Sequence, residues 1–422
     1  RDAQEDLRAA LRLDPAFEPA RRLLVDSLVA GGQFDVAVQE LRKLLVDHPE
    51  NGDVRAQLLT VLALRGRTDD LIGELRAAVQ REPESVRWLT SLGSTLVRAG
   101  RAREAVPHLA KAWEVESSPL IAGVYVTGLL ALSPPDHARA LEVLASEKIA
   151  TEKDPGLLLF RAHALATAGR AAEARADVVR AYSMVPADDP SSVQGFFAGL
   201  AAIAPKPADV LALMEQIKPA GGHPGWFDYW LAMGLQGDPA TRGRALEMLG
   251  AIAEGPDQVK AFAAHRVLGA LAYQDKRHEE AVAHFRKALE ARPGDPEVSN
   301  NLAYALAVDL HKPEEALQHA ERAAALMRTN ASVLDTLGVV YLELGRTDEA
   351  AGTFMRGLSM AVTPQEKASL YYGMARAKLR AGDRVEAKRY ADQLEAQVKT
   401  TPGLLTTFES RLGSLRADLS GQ

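Results

Sequence analysis

His278 and His284 lie six residues apart. Imidazoles hold zinc and similar ions when they converge on one face, and on a helix that needs a spacing of three or four. Six puts them on different faces, so they read as turn and helix-surface histidines. The chain has no cysteine, which removes disulfides, thiolate metal sites and cysteine nucleophiles and leaves the redox compartment open. Asp and Glu total 56, but most stand in the first turns of helices or beside Lys and Arg, where they complement a dipole or a neighbouring charge. No phosphate-cradling glycine loop, HExxH pair, EF-hand run or G-x-S-x-G elbow occurs. We therefore expect no catalysis, no metal and no cofactor. The triplet Asn330-Ala331-Ser332 fits a glycosylation acceptor and is read as chance.

Two other groups have residue types suited to binding. Trp226, Phe227, Tyr229 and Trp230 fall in the run HPGWFDYW and include two of the chain's four tryptophans. Positions 226, 229 and 230 share a helical face, so an apolar face packed into an irregular joint is the first reading. A partner-docking patch is the second, because Trp and Tyr dominate interface hot spots. Asn300–Asn301 is the other candidate, with hydrogen bonding along a helix face as the plain alternative.

The elements that must position such residues are helices. In ASVLDTLGVVYLELGRTDEAAGTFMRGLSMAVT (331–363), Leu337, Gly338 and Tyr341 share the face of one amphipathic helix. Gly345 and Arg346 break it, and Thr347 is expected to cap a second helix whose first turn carries Asp348 and Glu349. Ala350, Phe354 and Gly357 mark the second apolar face. Small residues at 338 and 350 let two backbones approach while Leu337, Tyr341 and Phe354 fill the space around them. Glu343 falls on a polar position. Prolines suit the joints, since proline lacks the N–H that a helix interior needs; Pro15, Pro49 and Pro83 recur every 34 residues, with Ser117 at the next place.

This pattern resembles the tetratricopeptide repeat (TPR), whose signature is a Leu-Gly-x-x-Tyr run, a later Ala and Phe, and a closing Pro. The resemblance implies an all-α fold, a right-handed superhelical solenoid of antiparallel helix pairs. We expect about eleven pairs, a half repeat at the front (Ala3, Leu7, Ala10, Pro15) and a capping helix at the back. The expected organisation is a half repeat and three regular repeats over 1–117, divergent helical repeats over 118–257, regular repeats over 258–400, and a capping helix and tail over 401–422. Gly221–Gly222 falls near the least regular joint, where a linker between two repeat blocks is the alternative. The half repeat and the opening Arg1 point to a fragment of a longer chain, with any leader or anchor lying upstream.

Composition agrees with a folded helical protein. Hydrophobic residues are 47%, charged residues 25%, and aromatics only 5%, which suits close helix packing better than a strand-rich core. The net charge of -6 gives no overall basic field for nucleic acid or anionic lipid. No apolar run approaches the ~18 residues of a membrane span.

The resemblance also implies an inner groove lined by the first helix of each pair. The matching positions hold Arg22 and Asp26 near the front and Asn300, Tyr304, Asp335, Tyr372 and Arg376 further along, with Arg266 also facing in. The chaperone-binding members of the family clamp a peptide's C-terminal carboxylate with Lys and Asn. Here Asp335 stands in the groove and would repel a carboxylate. The expected role is a non-catalytic scaffold that binds a protein or peptide, first around Tyr304, Asp335, Tyr372 and Arg376, second at Trp226 and Trp230. The words NNLAYALA (300–307) and LDTLG (334–338) resemble large bacterial repeat proteins of exopolysaccharide assembly and surface-protein export, implying a bacterial cytoplasmic or periplasmic setting. A substrate-presenting or regulatory part of a larger enzyme is the alternative, and a helical-repeat RNA binder is disfavoured by the charge.

Overall fold

The computed structural model describes residues 2–14, 17–30, 33–220, 222–401 and 403–420. The expected markers Pro15 and Gly221, and the side chain of Ala3, fall outside that description. Among the described residues there are 24 α-helices and no strand. The chain divides into two units, residues 1–230 and 231–422.

The first unit opens with the single helix α1 (Asp2–Leu13). Then come α2 (Glu18–Ala30) and α3 (Phe34–Asp47), α4 (Gly52–Leu64) and α5 (Thr68–Arg81), α6 (Val86–Arg98) and α7 (Ala102–Val115). They are followed by α8 (Pro119–Leu130) and α9 (His137–Leu144), α10 (Pro155–Thr167) and α11 (Ala171–Met184), α12 (Pro190–Ile203) and α13 (Pro207–Ile217). The division falls within α14 (Phe227–Leu235). The core of the first unit runs from Val25 to Ala164 through Leu58, Leu92 and Leu129. Of α13 only Met214 is buried, so this helix is lightly held.

The second unit continues with α15 (Arg242–Ala253), α16 (Gln258–Gln274), α17 (His278–Ala291), α18 (Pro296–Tyr304), α19 (Pro313–Leu326), α20 (Ala331–Glu343) and α21 (Thr347–Met360). It ends with α22 (Pro364–Arg380), α23 (Arg384–Thr400) and α24 (Leu404–Ser420). From α16 onward each helix packs on the next, and α18, α20, α22 and α24 also pack in succession. That second row is the face on which first helices lie side by side, and α24 occupies the first-helix place after the last pair.

The small residues do what their size predicts. A Cβ on Gly338 would meet the Phe354 ring at 2.5 Å, and one on Gly373 would meet the same ring at 2.5 Å. Phe354 thus sits fully buried between α20 and α22 in the space two glycines leave. Gly269 repeats the arrangement against Phe285 at 2.6 Å. Ala350 is completely buried.

The turns are as regular. Gly345 has φ +76°, and the Arg346 amide donates to the Tyr341 carbonyl at 2.9 Å, closing α20. Lys276 (φ +60°) and His311 (φ +53°) occupy the same place in their turns without being glycine. Thr347 does not cap α21: it is already its first residue, and Arg346 stands at the cap without a side-chain bond to the backbone. The Arg346 guanidinium instead forks onto Glu349. Arg67–Asp70, Arg101–Glu104 and Arg170–Glu173 repeat this lock at 2.7 Å each. Asn330 caps α20 by accepting from the Val333 amide at 3.1 Å, which gives the Asn-Ala-Ser triplet a structural job. Pro313 lies in the first turn of α19, where its missing N–H costs nothing.

One segment departs from the pattern. Gly338 precedes Ala350 by twelve residues, and Gly269 precedes Ala281 by twelve, but Ala303 precedes Ala316 by thirteen. His311 and Gly345 both stand five residues before those alanines, so the extra residue falls between Ala303 and His311. There α18 runs into a π-helical turn over Ala305–Asp309, the usual way a helix absorbs a single inserted residue.

Candidate peptide-binding groove

Tyr304 is the last residue of α18, where the π turn begins, and its hydroxyl is pushed up by burial, with Arg411 opposing and the carboxylates of Asp335 and Asp309 adding to the rise. Tyr273 of α16 meets it edge to face at 6.3 Å and His278 at 5.2 Å. His278 Nδ1 lies 3.6 Å from Asp309 Oδ2. Asp335 on α20 accepts a 2.6 Å hydrogen bond from the Ser369 hydroxyl of α22 through Oδ2. Its other oxygen, Oδ1, is sealed from solvent without a hydrogen-bond partner. Burial pushes this carboxyl up to about 6, with Ser369 and the nearby Arg411 guanidinium pulling the other way. Asn300, one turn before Tyr304, likewise has its side-chain oxygen sealed and unpartnered.

Next along the row, Tyr372 lies under two guanidinium groups: Arg376 at 5.6 Å and Arg411 of α24 at 5.5 Å from the ring centre. Arg376, expected at the groove, donates to Glu343 at 2.7 Å. Arg380 also reaches Glu343, at 3.2 Å. Glu343 is therefore half-buried and doubly paired, unlike the plain polar position expected of it, and its carboxyl is held below the usual range by those arginines against the cost of burial.

The structure thus brings Asn300, Tyr304, Asp335, Tyr372 and Arg376 onto successive first helices of one unit. It adds Tyr273, Asp309, Ser369 and Arg411, which sequence reasoning missed. Arg411 had no signal, because α24 reads as a cap and only its docking in the first-helix row turns the side chain inward. The π turn did have one, the thirteen-residue spacing.

The other candidates lie elsewhere. Arg22 pairs along its own helix with Glu18 at 2.8 Å, and Asp26 accepts from Gln57 at 2.9 Å, both on the exposed surface of the first unit. Around HPGWFDYW the fully buried side chain is Phe227, enclosed by Tyr182, Phe196 and Phe197. Tyr182 bonds His223 Nδ1 at 2.8 Å. Trp226 and Trp230 flank Tyr229 edge-on and stay partly exposed, with the Trp230 indole N–H sealed and unpartnered. His284 does not approach His278; it faces His265, Nδ1 to Nδ1 at 3.0 Å. Among the described residues no group of three or more His, Cys, Asp or Glu is placed to hold a metal ion. Arg266 lines a cavity of about 620 Å³ with Arg242, Gln274, Glu297 and Asn301, and its nearest carboxylate is Glu297 at 3.6 Å. No single helix among the described residues is long and apolar enough to cross a membrane.

Residues 242–296 match the tetratricopeptide repeat family model. That stretch contains the Gly269–Phe285 contact and the turn at Lys276 described above. That stretch is similar to tetratricopeptide repeats. A segment of 110 residues is 34% identical to the Hsp70-Hsp90 organizing protein of Triticum aestivum, covering 26% of this chain and 18% of that relative, so the chain spans under a fifth of its length. Among solved structures, the chain is similar to MamA from Desulfovibrio magneticus RS-1, with 17% identity and a TM-score of 0.36 over 42% of this chain and 98% of that one. It is also similar to PilW, a type IV pilus biogenesis factor, with 19% identity and a TM-score of 0.37 over 45% and 85% of the two chains.

Proposed function

We propose that this protein is a non-catalytic interaction scaffold and that the face formed by α18, α20 and α22 binds a peptide or protein segment. The observation that carries the reading is Asp335. A carboxylate oxygen shut away from water without a donor is costly unless something supplies one, and it lies in a row with Tyr304 and Tyr372. Tyrosines offer apolar area and a hydroxyl at low entropy cost, the usual material of binding surfaces. The rigid packing around Phe354 holds the row in place.

The test is site-specific photocrosslinking. Benzoylphenylalanine replacing Tyr372 should capture a partner that the same residue replacing Arg22 does not. Capture from position 22 or 226 alone would move the site to the first unit. The setting we propose, a bacterial envelope, exopolysaccharide or export assembly, rests on the wording at 300–307 and 334–338, and the identity of the captured partner tests it. A catalytic domain co-purifying as a fused part of the full-length protein would favour the enzyme-associated alternative.

A further inference from the structure

We propose that the Asp335 stretch of this groove is a subsite for an arginine side chain of the bound peptide, and that Arg411 of α24 keeps that place in the free chain. The inference rests on the groove reading above and names the chemistry of its ligand. Three observations point the same way. Asp335 Oδ1 and Asn300 Oδ1 are both acceptors, both sealed, and both without a donor, so what the site lacks is N–H groups. The surrounding surface is aromatic: Tyr273 and Tyr304 stand edge to face at 6.3 Å and Tyr372 already carries guanidinium groups over its ring. A planar cation with several N–H donors satisfies both features, since it can stack on a ring and bond a carboxylate at once.

The third observation is Arg411 itself. Its charge acts on Tyr273, Tyr304 and Asp335 together. Its guanidinium lies over the Tyr372 and Phe408 rings and hydrogen-bonds the Tyr304 hydroxyl, yet Asp335 Oδ1 still has no donor. It occupies the aromatic side of the place and leaves the Oδ1 side of the carboxylate without a donor. The helix that bears it is anchored independently by the buried Leu404, Phe408, Leu412 and Leu415 and by the Arg416–Glu395 pair at 2.7 Å. The same chemistry separates this subsite from a carboxylate clamp, which needs donors on the protein where this groove presents acceptors.

The test uses the full chain and two fluorescein-labelled, end-capped peptides, SGLRLGS and its twin with citrulline in place of arginine. Citrulline keeps the shape and removes the charge. By fluorescence anisotropy at pH 7.5, the Arg411→Ala chain should bind the arginine peptide at least ~5-fold more tightly than the wild-type chain does. The citrulline peptide should show no such gain, and adding Asp335→Asn should abolish it. Should Arg411→Ala lose helical signal, Arg411→Met keeps the packing on Phe408 and serves instead. Equal binding of the two peptides by the variant overturns the proposal, as does binding of neither at 1 mM. In both cases the groove reading stands or falls separately, on the crosslink from position 372.

Discussion

At the scale of single residues, Asp335 and Lys276 each hold a conformation or charge that the fold makes unfavourable. The Asp335 carboxyl is raised from 3.8 to about 6, so the folded state resists its ionisation while the unfolded state does not. Its contribution to stability is therefore whole below about pH 4 and is lost as pH rises through about 6. The Asp335→Asn variant removes that loss. The difference in urea stability between variant and wild type should grow from pH 4 to pH 6.5 and then level off, reaching about 3 kcal/mol at most; a difference that is flat with pH would mean the carboxyl is not isolated. Lys276 bears a positive φ that the equivalent Gly345 takes without strain. Lys276→Gly should stabilise the chain by ~0.5–1 kcal/mol, read as a higher denaturation midpoint. Neither residue could be singled out by type alone: an Asp on a helix and a Lys in a turn are ordinary until neighbours enclose the one and the turn's register twists the other.

At the scale of elements, the decisive contacts are between a glycine on one helix and a ring on another. Gly338→Leu drives a side chain into the space of Phe354 and should cost ~1–3 kcal/mol, measured as a lower melting temperature. Lys388→Ala, an exposed position on α23, should leave the melting temperature unchanged, and equal effects from both would mean that α20 and α21 do not cross at Gly338. Glu343→Ala is not a neutral change, because it strands Arg376 and Arg380. The Leu-Gly-x-x-Tyr spacing made this crossing legible in advance. The Thr347 cap was misread because the turn spends one residue fewer before the helix starts, leaving Arg346 at the cap and handing the work to the Arg346–Glu349 fork.

At the scale of the whole molecule, all four tryptophans, Trp88, Trp113, Trp226 and Trp230, fall in the first unit, while Phe354 is at the centre of packing in the second. Repeat arrays hold together by nearest-neighbour contacts, so damage to one repeat is felt most by its neighbours. Phe354→Ala should cost ~3–5 kcal/mol where it acts. We expect the circular-dichroism transition to shift to lower urea while the tryptophan-emission transition moves far less. Coincident shifts of equal size would show that the chain unfolds as one cooperative body.

The helices, about how many there are and the glycine–ring crossings were determined by the sequence alone, because each shows as a local pattern of residue types within one helix pair. The chemistry of the face formed by α18, α20, α22 and α24 was decided only by tertiary structure. Ser369 meets Asp335 across 34 residues, Arg376 meets Glu343 across 33, and Arg411 arrives from a helix whose own pattern says only that one face is apolar. The register between neighbouring pairs, shifted locally by the π turn at Ala305–Asp309, decides which of these side chains share a space. Burial then decides what charge they carry, because the cost of ionising a carboxyl depends on the water and donors around it and not on its position in the chain.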